Sequence, residues 1–270
     1  MFSVDSLYNL NNSLFDLGGD AKKIINFLFH HDRISCLKKN KSLYDSECTK
    51  KKIYLCALGP SLKQVDLNRI QGDTIVVNRF YKFGVEFPDF VPTYYMMVDY
   101  DFVEERYQND FVEAIDTYHG KGTKYLLNSK MYKSELLKKY KETDIYYLSC
   151  YGGQVHPTKK YSIDGVFPAF LNVTGAAILA AMLMGYKEIV LLGCDFNAFA
   201  SPKQNHCYKD NSEKRLWRMT WELYCSSFMA KDHEDLQEYA KRNGVYIKNS
   251  TKGSLIDAYP IEIEEDLYVK

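Results

Sequence analysis

Apolar, β-prone segments alternate with helical segments from Ile53 onward. Small or polar residues stand directly after four of these apolar segments. Strands that alternate with helices build a mostly parallel sheet with helices on both faces. The sequence therefore predicts an α/β fold with a doubly wound sheet. The four segments are IYLCAL before Gly59-Pro60-Ser61, TIVV before Asn78, YYMMV before Asp99, and EIVLL before Gly193 and Asp195.

The carboxyl ends of parallel strands lie at one edge of a sheet, and ligands of open α/β sheets bind in the crevice outside that edge. We therefore expect the four segment ends to face one crevice of a Rossmann-like domain. Gly-Pro-Ser is a common turn sequence. Its place between a strand and a helix favours phosphate binding by free amides and the Ser61 hydroxyl.

The chain has 270 residues, and its pattern predicts one main domain. The predicted units are a helical N-terminal extension over 1–50 and an α/β domain over 51–270 with a lid-like segment around 196–232. The stretch AKKIINFLFHH predicts a helix over 21–31. This extension either packs on the domain, mediates homo-oligomer contacts or touches an anionic membrane surface.

Composition excludes several function classes. The 35 basic and 35 acidic residues give no electrostatic basis for nucleic-acid binding, so we expect a small-molecule partner. Seven cysteines without a CxxC pair indicate reduced thiols of a cytoplasmic protein. The longest apolar run, AAILAAMLM, is too short to span a bilayer, and the first residues lack a signal-peptide pattern. Peripheral contact with the inner membrane stays open.

The clearest unit of the sequence is NVTGAAILAAMLMGYKEIVLLGCDF. Thr174 is predicted to cap its helix, Gly185 to end it, and the Thr174 and Gly175 amides to form an anion-binding corner. SLKQVDLNRI and MYKSELLKKYKE are predicted as further helices, and 151–172 as an irregular connection.

The segments GPSLKQVDLNRI, VNRFY, PTYY with a following acidic residue, and TGAAILAAMLMGYKEIVLLGCDF resemble a known family in order and spacing. They are similar to the bacterial family 42 sialyltransferases and related hydroxymethylpterin diphosphokinase-like proteins of surface-polysaccharide gene clusters, over about residues 51–250. The resemblance implies a CMP-sugar donor, a glycan acceptor, transfer without a metal cofactor and a histidine base. The nucleotide pocket that it implies is lined by Gly59, Pro60, Ser61, Asn78, Thr174, Gly175 and Gly193.

The sequence departs from that family at four places. Leu58 stands where an Asn is typical, an Arg shortly before the Thr174-Gly175 pair is absent, and Asn197 replaces a tyrosine. Where the family carries its catalytic histidine, this chain has Ser226, Ser227 and Phe228. The resemblance therefore supports the fold and the pocket better than sialic acid as the transferred sugar, which leaves a related acidic sugar open.

Two histidines are candidates for the general base. His206 lies in NHCY, in the polar loop after Asp195, and an imidazole titrates near the pH at which an acceptor hydroxyl must lose its proton. A histidine in such a loop can also be merely solvated. His156 is the second candidate, because its loop borders the predicted crevice.

Several acidic and aromatic residues have two interpretations. Asp99 and Asp101 form a D-x-D pattern that could hold a divalent ion, but Asp99 could instead contact ribose or acceptor and Asp101 could cap a helix. Asp195 either binds ribose or acceptor or holds its loop. Trp217 and Trp221, one helical turn apart, are predicted to pack in the core.

The sequence thus predicts an inverting glycosyltransferase that needs no cofactor, with two alternatives. The first is a pterin pyrophosphokinase-like enzyme, in which ATP and Mg²⁺ would need Asp99, Asp101 and Asp195. The second is a non-catalytic nucleotide-binding protein. Basic residues expected near the mouth of the crevice are Arg79, Lys203, Lys209, Lys214, Arg215 and Arg218.

Overall fold

The computed structural model describes most of the chain over which the sheet was predicted. Several predictions concern residues outside this part, among them the helix over 21–31, Asp101 and Trp217. The described residues are 35–99, 107–152, 154–200, 206–209 and 218–269.

Eight parallel strands form one sheet in the described residues. In chain order they are β1 Lys52–Cys56, β2 Asp73–Val77, β3 Tyr94–Met97, β4 Lys124–Asn128, β5 Ile145–Gly152, β6 Val166–Pro168, β7 Glu188–Leu192 and β8 Tyr246–Asn249. Their order across the sheet is β6-β5-β4-β3-β2-β1-β7-β8. The chain thus adds strands on one side of β1 and then returns to its other side. The doubly wound parallel sheet is confirmed, and its switch point lies between β1 and β7.

Helices cover both faces of this sheet. In the same described residues they are α1 Tyr81–Gly84, α2 Gln108–Tyr118, α3 Val173–Met184 and α4 Met219–Arg242. Side chains of α3 and α4 pack in the hydrophobic core on one face, and those of α1 and α2 pack in a second core on the other. No helix among the residues described combines the length and the apolar character that crossing a membrane requires.

The helix α3 is buried along nearly its whole length, which explains its run of small and apolar residues. It ends at Gly185 as predicted, with φ 109°, and a Cβ there would lie 2.7 Å from the carbonyl oxygen of Asp45. Its cap, however, is Asn172 and not Thr174. The Oδ1 atom of Asn172 accepts a hydrogen bond from the Thr174 amide at 2.8 Å. Since a cap residue must itself be non-helical, the extended backbone of Asn172 decides this position.

Two predicted helices are replaced by short 3-10 turns. SLKQVDLNRI forms turns over Pro60–Gln64 and Leu67–Arg69, separated where Val65 pairs with Tyr268 in an isolated antiparallel bridge. MYKSELLKKYKE is likewise broken, and Lys133 within it has a left-handed φ of 66°. The strand β6, conversely, was not predicted within the irregular connection. For SLKQVDLNRI and for β6, pairing with another segment outweighed the local pattern.

The last part of the predicted N-terminal extension packs on the domain. Residues 36–50 form two short 3-10 segments, in which Leu37 and Leu43 are buried. The Nδ2 atom of Asn40 donates to the carbonyl oxygens of Tyr147 and Ile163, at 2.6 and 2.9 Å. This segment therefore lies along β5, which explains why a polar, lysine-rich stretch holds a fixed position.

Candidate functional site

A cavity of about 330 Å³ opens at the carboxyl ends of β1, β2, β3 and β7, at the switch point of the sheet. We call it the donor cavity, after the nucleotide-sugar donor that the sequence analysis predicts for this edge of the sheet. Its wall brings together residues that lie far apart in the sequence. The predicted residues on this wall are Gly59, Asn78, Asp99, Thr174, Gly193, Asp195 and His206.

Asp195 joins the turn after β1 to the loop after β7. Its Oδ2 atom accepts from the Ser61 hydroxyl at 2.7 Å, and its Oδ1 atom accepts from the Ser61 amide at 3.2 Å. The Gly59 amide donates to the Gly193 carbonyl oxygen at 2.8 Å. Burial raises the pKa of Asp195, and the hydrogen bonds from Ser61 oppose this rise. These contacts favour the interpretation in which Asp195 holds its loop over the one in which it binds ribose or acceptor.

The backbone amides predicted to bind a phosphate already have acceptors inside the protein. Besides the amides of Gly59 and Ser61, the Thr174 amide donates to the Asn172 side chain, and the Gly175 amide donates to the Asn172 carbonyl oxygen at 3.1 Å. The Ser61 hydroxyl is likewise donated to Asp195. The expectation of free amides and a free hydroxyl is therefore corrected: Gly59 and Ser61 use these groups to bind the loop after β7, and Thr174 and Gly175 use theirs to cap α3.

Asn78 directly follows β2 and has a left-handed conformation, with φ 47°. The Tyr95 hydroxyl donates to the Asn78 carbonyl oxygen at 2.7 Å, and the Asn78 Nδ2 atom donates to Oδ2 of Asp99 at 2.5 Å. Its Oδ1 atom is buried and has no hydrogen-bond partner. Unusual backbone conformations and unsatisfied polar groups concentrate at functional sites. Asn78 and Asp99 thus form a fixed polar pair on the cavity wall.

His206 is positioned at the donor cavity by the residues that follow it. The Cys207 amide donates to the Leu58 carbonyl oxygen at 2.8 Å, and the side chains of Cys207 and Tyr208 are buried. The imidazole stacks on the Tyr208 ring, with 5.0 Å between ring centroids. A segment held against the end of β1 therefore presents His206 to the cavity.

The helix α4 supplies part of the wall that the sequence analysis missed. Glu222, Ser226 and Met229 line the cavity, and their spacing places them on one helix face, which is the signal that could have found them. The prediction that Trp221 packs in the core is wrong. Its side chain is 52% exposed and stacks on Tyr224, because it lies on a face of α4 turned away from the sheet.

Some predicted site residues do not line the donor cavity. Gly175 packs under the ring of Phe170, where a Cβ would lie 2.6 Å from the nearest ring carbon. The His156 amide donates to the Tyr161 hydroxyl at 2.8 Å, within the connection between β5 and β6. The four predicted residues absent from the wall are Pro60, Ser61, Gly175 and His156.

None of the basic residues predicted near the mouth of the crevice lines the donor cavity in the described part of the chain. Arg79 donates to Asp110 at 2.9 Å and lies over the ring of Tyr107. It therefore packs against α2 and does not line the donor cavity. Lys209 and Arg218 are exposed. Lys203, Lys214 and Arg215 lie outside the described residues.

The described part of the chain shows no metal-binding site. There, no group of three or more histidine, cysteine, aspartate or glutamate side chains could hold an ion. Asp99 is hydrogen-bonded to Asn78, and Asp101 is not described. The D-x-D pattern therefore gains no structural support as a metal site.

A buried acid on α4 gives a testable pH dependence. Burial, and secondarily the charge of Asp235, raise the pKa of Asp232 to about 7, and the charge of Lys231 opposes this rise. The Oδ1 atom of Asp232 is buried and has no hydrogen-bond partner. The folded state therefore binds the proton more tightly than the unfolded state, and stability falls as pH rises from about 4 to above 7. Asp232→Asn is expected to be more stable than the wild type by about 2 kcal/mol near pH 8, a gain that disappears near pH 4.

Urea denaturation of both proteins across this pH range measures the difference. The exposed Asp257 provides a control, since Asp257→Asn should leave the pH profile of stability unchanged. A gain in Asp232→Asn that is independent of pH would contradict the prediction.

Sequence comparisons with protein-family models and with curated proteins gave no match. Solved structures of bacterial sialyltransferases resemble the fold. The sialyltransferase CstII from Campylobacter jejuni, in complex with the substrate analogue CMP-3FNeuAc, is 17% identical, with 82% of this chain and 89% of that chain covered and a TM-score of 0.48. CST-II in complex with a trisaccharide acceptor and CMP is 18% identical, with 82% and 89% covered and a TM-score of 0.47.

An α-2,3-sialyltransferase from Campylobacter jejuni in apo form is 14% identical, with 84% of this chain and 86% of that chain covered and a TM-score of 0.46. At these identities and TM-scores the likeness carries no argument about substrate or mechanism.

Proposed function

We propose that the protein is an inverting glycosyltransferase that moves an acidic sugar from a CMP-activated donor to a hydroxyl of a bacterial surface glycan. One observation carries this proposal. Five of the predicted nucleotide-contacting residues at the ends of β1, β2, β3 and β7 lie with His206 on the wall of one cavity at the switch point: Gly59, Asn78, Asp99, Gly193 and Asp195. Switch points of parallel sheets are where α/β proteins bind nucleotides.

The donor is proposed to lie across this cavity. Its volume of about 330 Å³ is within the range of small-molecule sites. The nucleoside lies near Asn78 and Gly193. The phosphate faces the start of α3, where Asn172 and Thr174 line the wall and the helix dipole favours negative charge even though the first amides are hydrogen-bonded.

His206 is proposed to act as the general base. Its imidazole takes the proton of the acceptor hydroxyl while the hydroxyl oxygen forms a bond to the anomeric carbon of the donor sugar. The bond from that carbon to the phosphate oxygen breaks, and CMP leaves with the electron pair. Attack from the side opposite to the leaving group inverts the anomeric centre. Residues 196–232 are proposed as the lid, since Phe196, Phe199 and the inner face of α4 border the cavity.

A thermal-shift panel tests the donor assignment. CMP and CDP are expected to raise the melting temperature without Mg²⁺, while UDP, GDP and ATP are not. A ligand at 100 times its dissociation constant stabilises the native state by about 2.7 kcal/mol, which is readily measured. A shift with ATP that requires Mg²⁺, and with no cytidine nucleotide, would contradict the proposal.

The two alternatives predict different outcomes. Loss of turnover on chelation would favour the pyrophosphokinase, which needs carboxylates for Mg²⁺. CMP binding without transfer to any acceptor would favour a non-catalytic nucleotide-binding protein. Cytoplasmic location, peripheral membrane contact and homo-oligomer formation stay predictions from the sequence.

A further inference from the structure

A buried polar loop follows β8, over residues 249–255, and its side chains do not line the donor cavity. The side chains of Asn249, Ser250 and Thr251 are fully buried. The Oδ1 atom of Asn249 accepts from the Thr251 amide at 3.1 Å, and its Nδ2 atom donates to Oγ of Ser254 at 2.8 Å. Buried polar groups that pair with one another fix the conformation of a segment. The loop after β8 therefore has a single, well-defined conformation.

This loop holds the loop after β7, which forms part of the wall of the donor cavity. The Oγ1 atom of Thr251 accepts from the Cys194 amide at 3.0 Å, and the Ser254 hydroxyl donates to the Cys194 carbonyl oxygen at 2.6 Å. The Leu255 amide donates to the Asp195 carbonyl oxygen at 2.9 Å. Cys194 and Asp195 both line the cavity, so hydrogen bonds from outside the cavity fix its wall.

The wall that is fixed in this way contains a strained backbone. Phe196 lines the cavity with φ 56°, a left-handed conformation that is rare for a bulky residue. Such a conformation persists only where the surrounding structure imposes it. The hydrogen bonds to Cys194 and Asp195 hold the two residues before Phe196, and its ring packs edge-on against that of His233, with 6.1 Å between centroids. The loop after β8 thus maintains a conformation that local preferences oppose.

The segment that follows this loop also holds the turn after β1. Val65 pairs with Tyr268 in the antiparallel bridge, and the Val269 amide donates to the Gln64 carbonyl oxygen at 2.8 Å. The Tyr268 hydroxyl donates to the carbonyl oxygen of Ser250 in the loop after β8. Tyr268 therefore connects the residues that hold the turn after β1 with those that hold the loop after β7.

We propose that Thr251 and Tyr268 are positioning residues of the donor cavity, which hold the loop after β7 and the turn after β1 in the conformation that binds the donor. The inference rests on the proposed binding of a CMP-activated donor and extends it to side chains that do not line the cavity. Without the Thr251 hydroxyl the Cys194 amide loses its acceptor, and the loop relaxes from the strained conformation at Phe196. Donor binding must then reverse this change, which weakens binding.

Calorimetric measurement of CMP binding tests this role in Thr251→Val, which keeps the shape of the side chain and removes its hydroxyl. The dissociation constant of CMP is expected to rise about tenfold, the factor that 1.4 kcal/mol of binding free energy gives. Thr251→Ser retains the hydroxyl and should bind CMP with the affinity of the wild type.

Thr74→Val is the matched control. The buried Thr74 hydroxyl also accepts from a backbone amide, that of Thr93 at 3.1 Å, but Thr74 lies near the amino end of β2, at the opposite edge of the sheet. Both valine variants should lower the melting temperature, because each leaves a backbone amide without its acceptor. Only the variant at Thr251 should weaken CMP binding, which separates positioning from a general loss of stability.

Three results would overturn the inference: wild-type affinity for CMP in Thr251→Val, an equal loss of affinity in Thr74→Val, or no recovery in Thr251→Ser. Tyr268→Phe removes the hydroxyl that reaches Ser250 and decides the question if Thr251→Val does not fold. Weaker CMP binding by folded Tyr268→Phe supports the inference, and wild-type affinity overturns it. Absence of CMP binding by the wild type would instead contradict the proposed function.

Discussion

His206→Gln is expected to lower kcat for sugar transfer by about 10²- to 10⁴-fold, the range over which a positioned acid or base contributes. Glutamine retains hydrogen-bonding groups but cannot accept the proton of the acceptor hydroxyl. The anchoring bond from the Cys207 amide to the Leu58 carbonyl oxygen belongs to the backbone, so the substitution leaves the segment in place. The melting temperature and the CMP thermal shift should therefore stay close to those of the wild type.

His156→Gln is the matched control, since it makes the same change at the other histidine that the sequence suggested. His156 does not line the donor cavity, so its substitution should leave kcat within about twofold of the wild type. If instead His156→Gln abolished transfer while His206→Gln did not, the assignment of the base would be wrong. Full activity in both variants would exclude both candidate histidines as the base.

Gly59→Ala is expected to lower the free energy of unfolding by about 3 kcal/mol and to abolish the CMP thermal shift. The added Cβ would lie 1.9 Å from Oδ2 of Asp195 and 2.5 Å from the carbonyl oxygen of Gly193. The first atom is held by Ser61, and the second is backbone, so neither can move alone. The turn after β1 must separate from the loop after β7, and both border the donor cavity.

Gly120→Ala is the control for the general cost of replacing a glycine. Gly120 has φ 78° and no atom within 4 Å of an added Cβ, so only the left-handed backbone is penalised, by about 1 kcal/mol. Its CMP thermal shift should be unchanged. Equal stability of the two variants in chemical denaturation would show that the two loops are not in close contact.

Much of the fold could be predicted because it depends on local patterns. The segment EIVLL became β7, and Gly185 ends α3. The predicted helices over SLKQVDLNRI and MYKSELLKKYKE failed, because Val65 pairs with Tyr268 at the far end of the chain and Lys133 has a left-handed backbone. Helical spacing alone could not reveal either constraint.

In the candidate site, too, features set by local patterns could be predicted and features set by contacts between distant segments could not. Residues after strand ends could be selected from the sequence, since parallel strands place their carboxyl ends at one edge. Whether their amides were available could not be predicted. The Ser61 hydroxyl and the Asp195 carboxylate, 134 positions apart, hydrogen-bond each other. The exposed position of Trp221 likewise depends on which face of α4 meets the sheet.

By itself, the sequence determined the alternation of strands and helices, the doubly wound sheet and the set of polar residues at its carboxyl edge. Spacing of apolar residues along a few turns or one strand suffices for these features, because backbone geometry sets the period with which side chains face the core. Only the tertiary structure decided which amides and hydroxyls are already paired and which face of α4 completes the donor cavity. These depend on hydrogen bonds and packing between segments far apart in the chain, which no local period encodes.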